Sequence, residues 1–118
     1  MKGDNIAERL KRCAAGIVRL VRKLPRDDAG RLMGDQLLRS GTSPGAHYAE
    51  ARNAGSVKNF VYKVNLATAE LRESIHFLGI VEETEASLRA DAPPLMREAN
   101  ELIAMLVASA KTARANSA

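Results

Sequence analysis

Apolar residues recur along this chain with the period of amphipathic helices. From about Asn5 to Leu24 they fall at Ile6, Leu10, Cys13, Ile17, Leu20 and Leu24, spaced 4-3-4-3-4. That spacing forms a seam that one side of a helix buries. Asp4 or Asn5 is placed to cap the start, and Pro25 ends the segment. A second helix is expected to open near Asp27 and Asp28 and to carry Leu32, Met33, Gln36 and Leu37. The stretch Ser40-Gly41-Thr42-Ser43-Pro44-Gly45-Ala46 has the composition of a loop. Helical spacing resumes beyond it, so a continuous helix with a local kink at Pro44 is the better reading. The Ser40 and Ser43 hydroxyls are placed to satisfy backbone groups that the proline frees.

Asn53-Ala54-Gly55-Ser56 reads as a turn, with Ser56 as the cap of a third helix that reaches about Val81. Its seam is Phe60, Val64, Ala67, Leu71, Ser74, Leu78 and Val81. Tyr62, Leu66, Ala69, Phe77 and Ile80 sit away from that seam. A helix apolar on more than one side must bury more than one side, which points to contact between subunits. Thr84 is a candidate cap for a short turn over Glu85 to Arg89, and Pro93-Pro94 suits the first turn of a fourth helix. That helix carries Leu95, Ala99, Leu102, Leu106 and Ala110 to about Ala113, and residues 114–118 are expected to fray. Four helices of roughly 20 residues, tightly connected, predict an all-α, antiparallel up-down-up-down four-helix bundle about 30 Å long. Residues 1–118 make one domain.

Composition agrees with helix-on-helix packing. Aromatic residues are 3% of the chain and Trp is absent. The net charge is +4, and its distribution matters more than its size. Met1 to Arg26 holds eight Lys and Arg against two acids, whereas the rest holds ten against twelve. The first helix therefore carries the whole basic excess. Arg12, Arg19, Arg22, Lys23 and Arg26 form a stripe suited to phosphates, since a guanidinium pairs with them bidentately. The scarcity of stacking rings argues against base-specific reading of single strands. A stripe meeting an acidic protein surface, in a scaffold without nucleic-acid binding, is the alternative.

Catalytic patterns are weak. Glu73-x-x-His76 is half of a di-iron pair of motifs, but the chain has two histidines in all and the second pair is missing. No metal site, cofactor or enzyme activity is expected. Cys13 lies on a buried seam, where a cysteine acts as a small hydrophobe. Gly41-x-x-x-Gly45 lacks the Lys-Ser/Thr of a phosphate loop. A single cysteine precludes an internal disulfide. No secretory signal is visible, and no apolar run nears the roughly 20 residues of a membrane span. A cytoplasmic protein without membrane contact is expected.

The run Gln36-Leu37-Leu38-Arg39-Ser40-Gly41-Thr42-Ser43-Pro44-Gly45-Ala46-His47-Tyr48-Ala49-Glu50-Ala51 resembles the signature of a bacterial four-helix-bundle family. That family includes proteins encoded in 23S ribosomal RNA intervening sequences. The match continues through Ser56, Phe60, Lys63, Ala67, Glu70, Arg72, Glu73, Ser74 and Leu78, and resumes over residues 100–106. Pro44 stands where a branched aliphatic is common, and His76-Phe77 where a Tyr-Trp pair is common. The resemblance implies an antiparallel bundle that assembles as a ring-like homopentamer. It also brings in a relative, the accessory protein of diversity-generating retroelements, which works with a reverse transcriptase and nucleic acid. On this reading the partners are further copies of the chain and RNA, DNA or a nucleoprotein. Gln36, Arg39, Ser40, Ser43, Glu50, Glu70 and Glu73 would then hold helix contacts or subunit interfaces.

Overall fold

The computed structural model describes residues 3–117. Four helices run antiparallel: α1 Asp4–Val21, α2 Asp28–Arg52, α3 Val57–Thr84 and α4 Ala92–Asn116. A 3-10 turn, Ala86–Leu88, precedes α4. In cross-section α1 packs on α2 and α4, while α3 packs on the same two from the far side. The bundle measures 50 × 21 × 21 Å, longer than the expected 30 Å because the last three helices run to 25, 28 and 25 residues.

The apolar seams form the core. Ile17, Leu37, Val64, Leu71, Leu78, Leu102 and Leu106 are fully buried. Helix α1 is amphipathic in the strict sense, with Ile6, Leu10, Cys13, Ile17 and Leu20 its buried residues. It ends at Val21, three residues before the expected Leu24, yet Leu24 stays buried through the turn that follows. Its start also departs from expectation. Gly3 is the N-cap, in a left-handed conformation, and no side chain caps the helix. At α3 the expected cap is present, Ser56 accepting from the Asn59 amide, and at α2, which opens where expected, Asp27 caps the helix by accepting from the Gly30 amide.

The helix α2 passes through Pro44 without interruption. The nearby hydroxyls are used differently from the sequence reading. Ser43 donates to the Arg39 carbonyl at 2.7 Å and Thr42 to the Leu38 carbonyl at 2.5 Å. Ser40 instead turns into the core and meets Ser74 of α3, oxygen to oxygen, at 2.8 Å. Both serines are completely buried, so this pair satisfies two hydroxyls that would otherwise lack a partner. Close approach on the other side of α2 needs Gly41. A Cβ there would lie 2.8 Å from the Ile17 Cδ1 and 2.9 Å from its Cγ2. Ile17 is branched at Cβ and cannot swing aside freely, so α1 would have to move outward.

Two expectations at the C-terminal half are corrected. Thr84 does not cap the following turn; its hydroxyl donates back to the Ile80 carbonyl at 2.8 Å and closes α3, which runs past Val81. The helix α4 continues to Asn116, past its expected end near Ala113, and the Ser117 hydroxyl donates to the Arg114 carbonyl. Ala118 lies outside the described residues.

One ion-pair group ties α1 to α4. Arg9 binds Glu98 through two nitrogens, at 2.6 and 2.9 Å, and reaches Glu101 at 3.3 Å. Its Nη1 also lies 3.2 Å from the Met105 sulfur. The Arg9 hydrogen bonds hold the Glu98 carboxyl below its ordinary value of 4.5.

Two predictions follow from this packing. Ser40→Ala leaves the Ser74 hydroxyl buried without its partner and costs roughly 1–2 kcal/mol. The Ser40→Ala, Ser74→Ala double variant costs less than the sum of the singles; urea unfolding of all four proteins checks the coupling. For Glu98, a lowered folded pKa means stability that is present above 4.5 and lost as pH falls through the folded value. Wild-type stability should therefore fall more steeply than that of Glu98→Gln between pH 6 and about 3.5, measured by the same unfolding experiment.

Candidate nucleic-acid interface

The buried seam of α1 dictates which of its residues face outward. With Leu10, Cys13, Ile17 and Leu20 turned in, Arg12, Arg19, Arg22, Lys23 and Arg26 are all exposed. They are not electrostatically equal. Arg12 lies 3.9 Å from Glu8, one turn earlier, and Lys23 pairs with Asp91 at 2.9 Å. Glu8 also has Lys11 at 3.3 Å. Among the described residues, Arg19, Arg22 and Arg26 have no carboxylate within ion-pair distance. These three therefore keep an uncompensated positive charge at the water boundary. Arg9 does not belong to the stripe, because α4 has taken it.

The end of the stripe gains a residue that the sequence did not single out. A surface hollow of about 400 Å³ lies at the α1–α2 turn, with Arg22, Arg26 and Arg31 on its rim and Val21, Leu24 and Pro25 on its walls. Arg31 reaches it from the first turn of α2, donating to the Arg26 carbonyl at 3.4 Å while paired with Asp28. The clue was there in the expected turn after Pro25. A reversal of the chain at that point brings the first turn of α2 back beside the last basic residues of α1. Guanidinium groups so placed can hold a phosphate bidentately.

The residues of the long central motif have a different task. Arg39 donates to Glu70 at 2.8 Å, to Gln36 at 3.0 Å and to Glu73, so one guanidinium on α2 grips two carboxylates of α3. Nearer the other end, Lys63 of α3 donates to Glu50 of α2 at 2.9 Å. That bond holds the Glu50 carboxyl below its usual range. With Ser40 bonded to Ser74 and Ser43 to its own helix, the motif places its polar groups along the α2–α3 contact. His47, on the same side, lies 3.9 Å from Glu50, and its Nδ1 is buried without a hydrogen-bond partner.

Among the described residues no group of three or more His, Cys, Asp or Glu is placed to share a metal ion. Glu73 lies on the flank toward α2, committed to Arg39. His76 is exposed and meets the Phe77 ring edge-on, with centroids 5.2 Å apart. Burial pushes the Cys13 thiol up to about 11, which keeps it protonated and unreactive at neutral pH.

The second apolar side of α3 is only partly covered by its own chain. Tyr62 is 58% exposed and Ala69 is exposed, whereas Leu66, Phe77 and Ile80 are half-buried. On α2, Leu32 is 54% exposed. Among the described residues no helix is long and apolar enough to cross a membrane.

Known proteins resemble this one in the same features. A crystal structure of a protein of unknown function from the S23 ribosomal protein family, from Bacteroides thetaiotaomicron, superposes with a TM-score of 0.84. It is 31% identical, and the match covers 94% of this chain and 99% of that one. No curated protein matches significantly. Residues 4–108 match the 23S rRNA-intervening sequence protein family, which spans all four helices, and with the fold and the motif contacts in agreement the chain belongs to that family.

Proposed function

We propose that this protein is a non-enzymatic, cytoplasmic module that assembles with copies of itself and binds nucleic acid or a ribonucleoprotein through α1. The observation that carries this reading is the set Arg19, Arg22 and Arg26, exposed on one helix with no carboxylate partner among the described residues. Uncompensated guanidinium groups along a rigid element engage phosphates without demanding a particular base. Arg12 and Lys23 flank them but must first leave Glu8 and Asp91, so they contribute less. Arg31 adds a fourth guanidinium at the turn, at the cost of its pair with Asp28.

Self-assembly is supported by the outer side of α3. Tyr62, Leu66 and Ala69 lie in one apolar strip beside the polar contacts made by Arg39 and Lys63. Burying such a strip against another copy is worth roughly 25 cal/mol for each Å² of apolar surface removed from water. A ring of five copies, as the family resemblance implies, repeats the basic stripe five times. Weak phosphate contacts then add through avidity.

Fluorescence anisotropy with generic RNA and DNA duplexes, across a salt series, tests the phosphate contacts. The Arg19→Gln, Arg22→Gln, Arg26→Gln variant should bind more weakly at low salt. Its salt slope should flatten by about two to three phosphate equivalents. A wild type that binds neither nucleic acid at low salt would overturn this reading in favour of a scaffold for an acidic protein partner. Light scattering tests assembly. The wild type should have five times the mass of the 12.7 kDa chain, and Tyr62→Glu with Leu66→Glu should shift it toward the monomer. A wild-type monomer at tens of micromolar would remove the pentamer from the proposal.

A further inference from the structure

A second hollow lies at the end of the bundle opposite Arg22, Arg26 and Arg31, where the start of α1, the α2–α3 turn and the last turns of α4 converge. Its volume is about 680 Å³, within the range of small-molecule sites. Small side chains keep it open: Ala51, Ala54, Ala108 and Ala113 line it, and a larger residue at any of them would fill part of it. Ile6, Val57 and Phe60 supply apolar walls.

Tyr48 is the unusual member of this lining. The residue is 4% exposed, and its hydroxyl makes no hydrogen bond to another described residue, yet it is not one of the fully enclosed polar atoms, so it stays reachable from the hollow. An acceptor on a bound ligand can take the place of water there. The hydroxyl is held in place by its neighbours. Arg52 sits over the Tyr48 ring, 5.9 Å from its centroid, and is itself anchored to Asp4 at 2.8 Å. Gly3 crosses close above both, at φ +91°; a Cβ there would come within 2.7 Å of the Tyr48 oxygen and 3.1 Å of the Arg52 Nε. Burial pushes the phenol above its ordinary value, so at neutral pH it is a hydrogen-bond donor. The N-terminal end of α3, through Ser56 and Val57, opens on the same hollow with its partial positive charge.

We propose that this bundle-end pocket binds a small amphipathic carboxylate, with its acid group on the Tyr48 hydroxyl and Arg52 and its apolar body against Ile6, Val57 and Phe60. The charge of the head follows from the surroundings. The Arg52 guanidinium, the neutral Tyr48 donor and one helix N-terminus all favour an anionic head. A cationic head would face Arg52 across the hollow. The apolar walls exclude a wholly polar acid as the preferred ligand.

The test uses the full chain and decanoate below its micellar concentration, titrated by calorimetry, with methyl decanoate as the uncharged counterpart. Saturable binding of one decanoate per chain is expected. The ester should bind at least about tenfold more weakly, since it loses a charge-assisted hydrogen bond. Tyr48→Phe removes an unpartnered hydroxyl, so it should melt like the wild type while weakening decanoate roughly tenfold. Ala108→Phe, which fills the hollow, should abolish binding. Absence of saturable binding, equal affinity for the ester, unchanged affinity in Tyr48→Phe, or decanoate still bound by a folded Ala108→Phe would each overturn the proposal.

Discussion

The burial of one narrow apolar seam on α1 orders the rest of this molecule. The helix α1 is the shortest of the four, and it packs on α2 and α4 while lying diagonal to α3. Ile17, completely buried, sits against the α2 backbone at Gly41 with no room for a single additional carbon. That contact sets the depth of α1 and its rotation. Rotation in turn decides which cations meet water and which meets α4. The hydrophobic effect thus selects the charged face, though it acts on none of the charges.

Charge is then divided by a second, weaker rule. Arg9 sits on the flank of the seam, where α4 offers Glu98 and Glu101, and a bidentate pair forms beside partly buried surface. The residues one or two positions farther round find only exposed acids or none. The basic excess of the first helix is therefore not a uniform field. It is concentrated toward the α1–α2 turn by Arg19, Arg22, Arg26 and Arg31, while at the opposite end of the bundle Arg52 is paired with Asp4. The two ends differ in chemistry because the helices that meet there present different termini and different side chains.

How much could be read from sequence depended on the range of the interaction. The seams of α1 and α3 were legible because period and burial are properties of neighbouring residues, and so were the Asp27 and Ser56 turns. The passage of α2 through Pro44 was legible from the spacing that resumes after it. The ends of α1, α3 and α4 were missed by a few residues, since final turns are held by local bonds such as Thr84 to Ile80 and Ser117 to Arg114. Arg9 escaped notice because its partners lie 89 and 92 residues away, and no periodicity links them. Tyr48 and Arg52 lay in plain view in and beside the motif, but the hollow they line is made by three separated segments.

The most recognisable stretch of the chain, residues 36–51, turns most of its polar groups toward α3. Arg39, Ser40 and Glu50 each have a partner there, and Ser43 is spent on its own helix. A motif used in this way reports how two helices are joined and says little about what the protein binds. Discrimination between partners has to come from surfaces that the joint leaves free: the outer side of α1, the uncovered apolar strip of α3 and the hollow at the bundle end. The first two are built from side chains on single helices and can change by substitution without disturbing the core. The hollow is less free to change, because a side chain added at Gly3 would displace both Tyr48 and Arg52. Of the three surfaces it is therefore the one most tightly coupled to the fold.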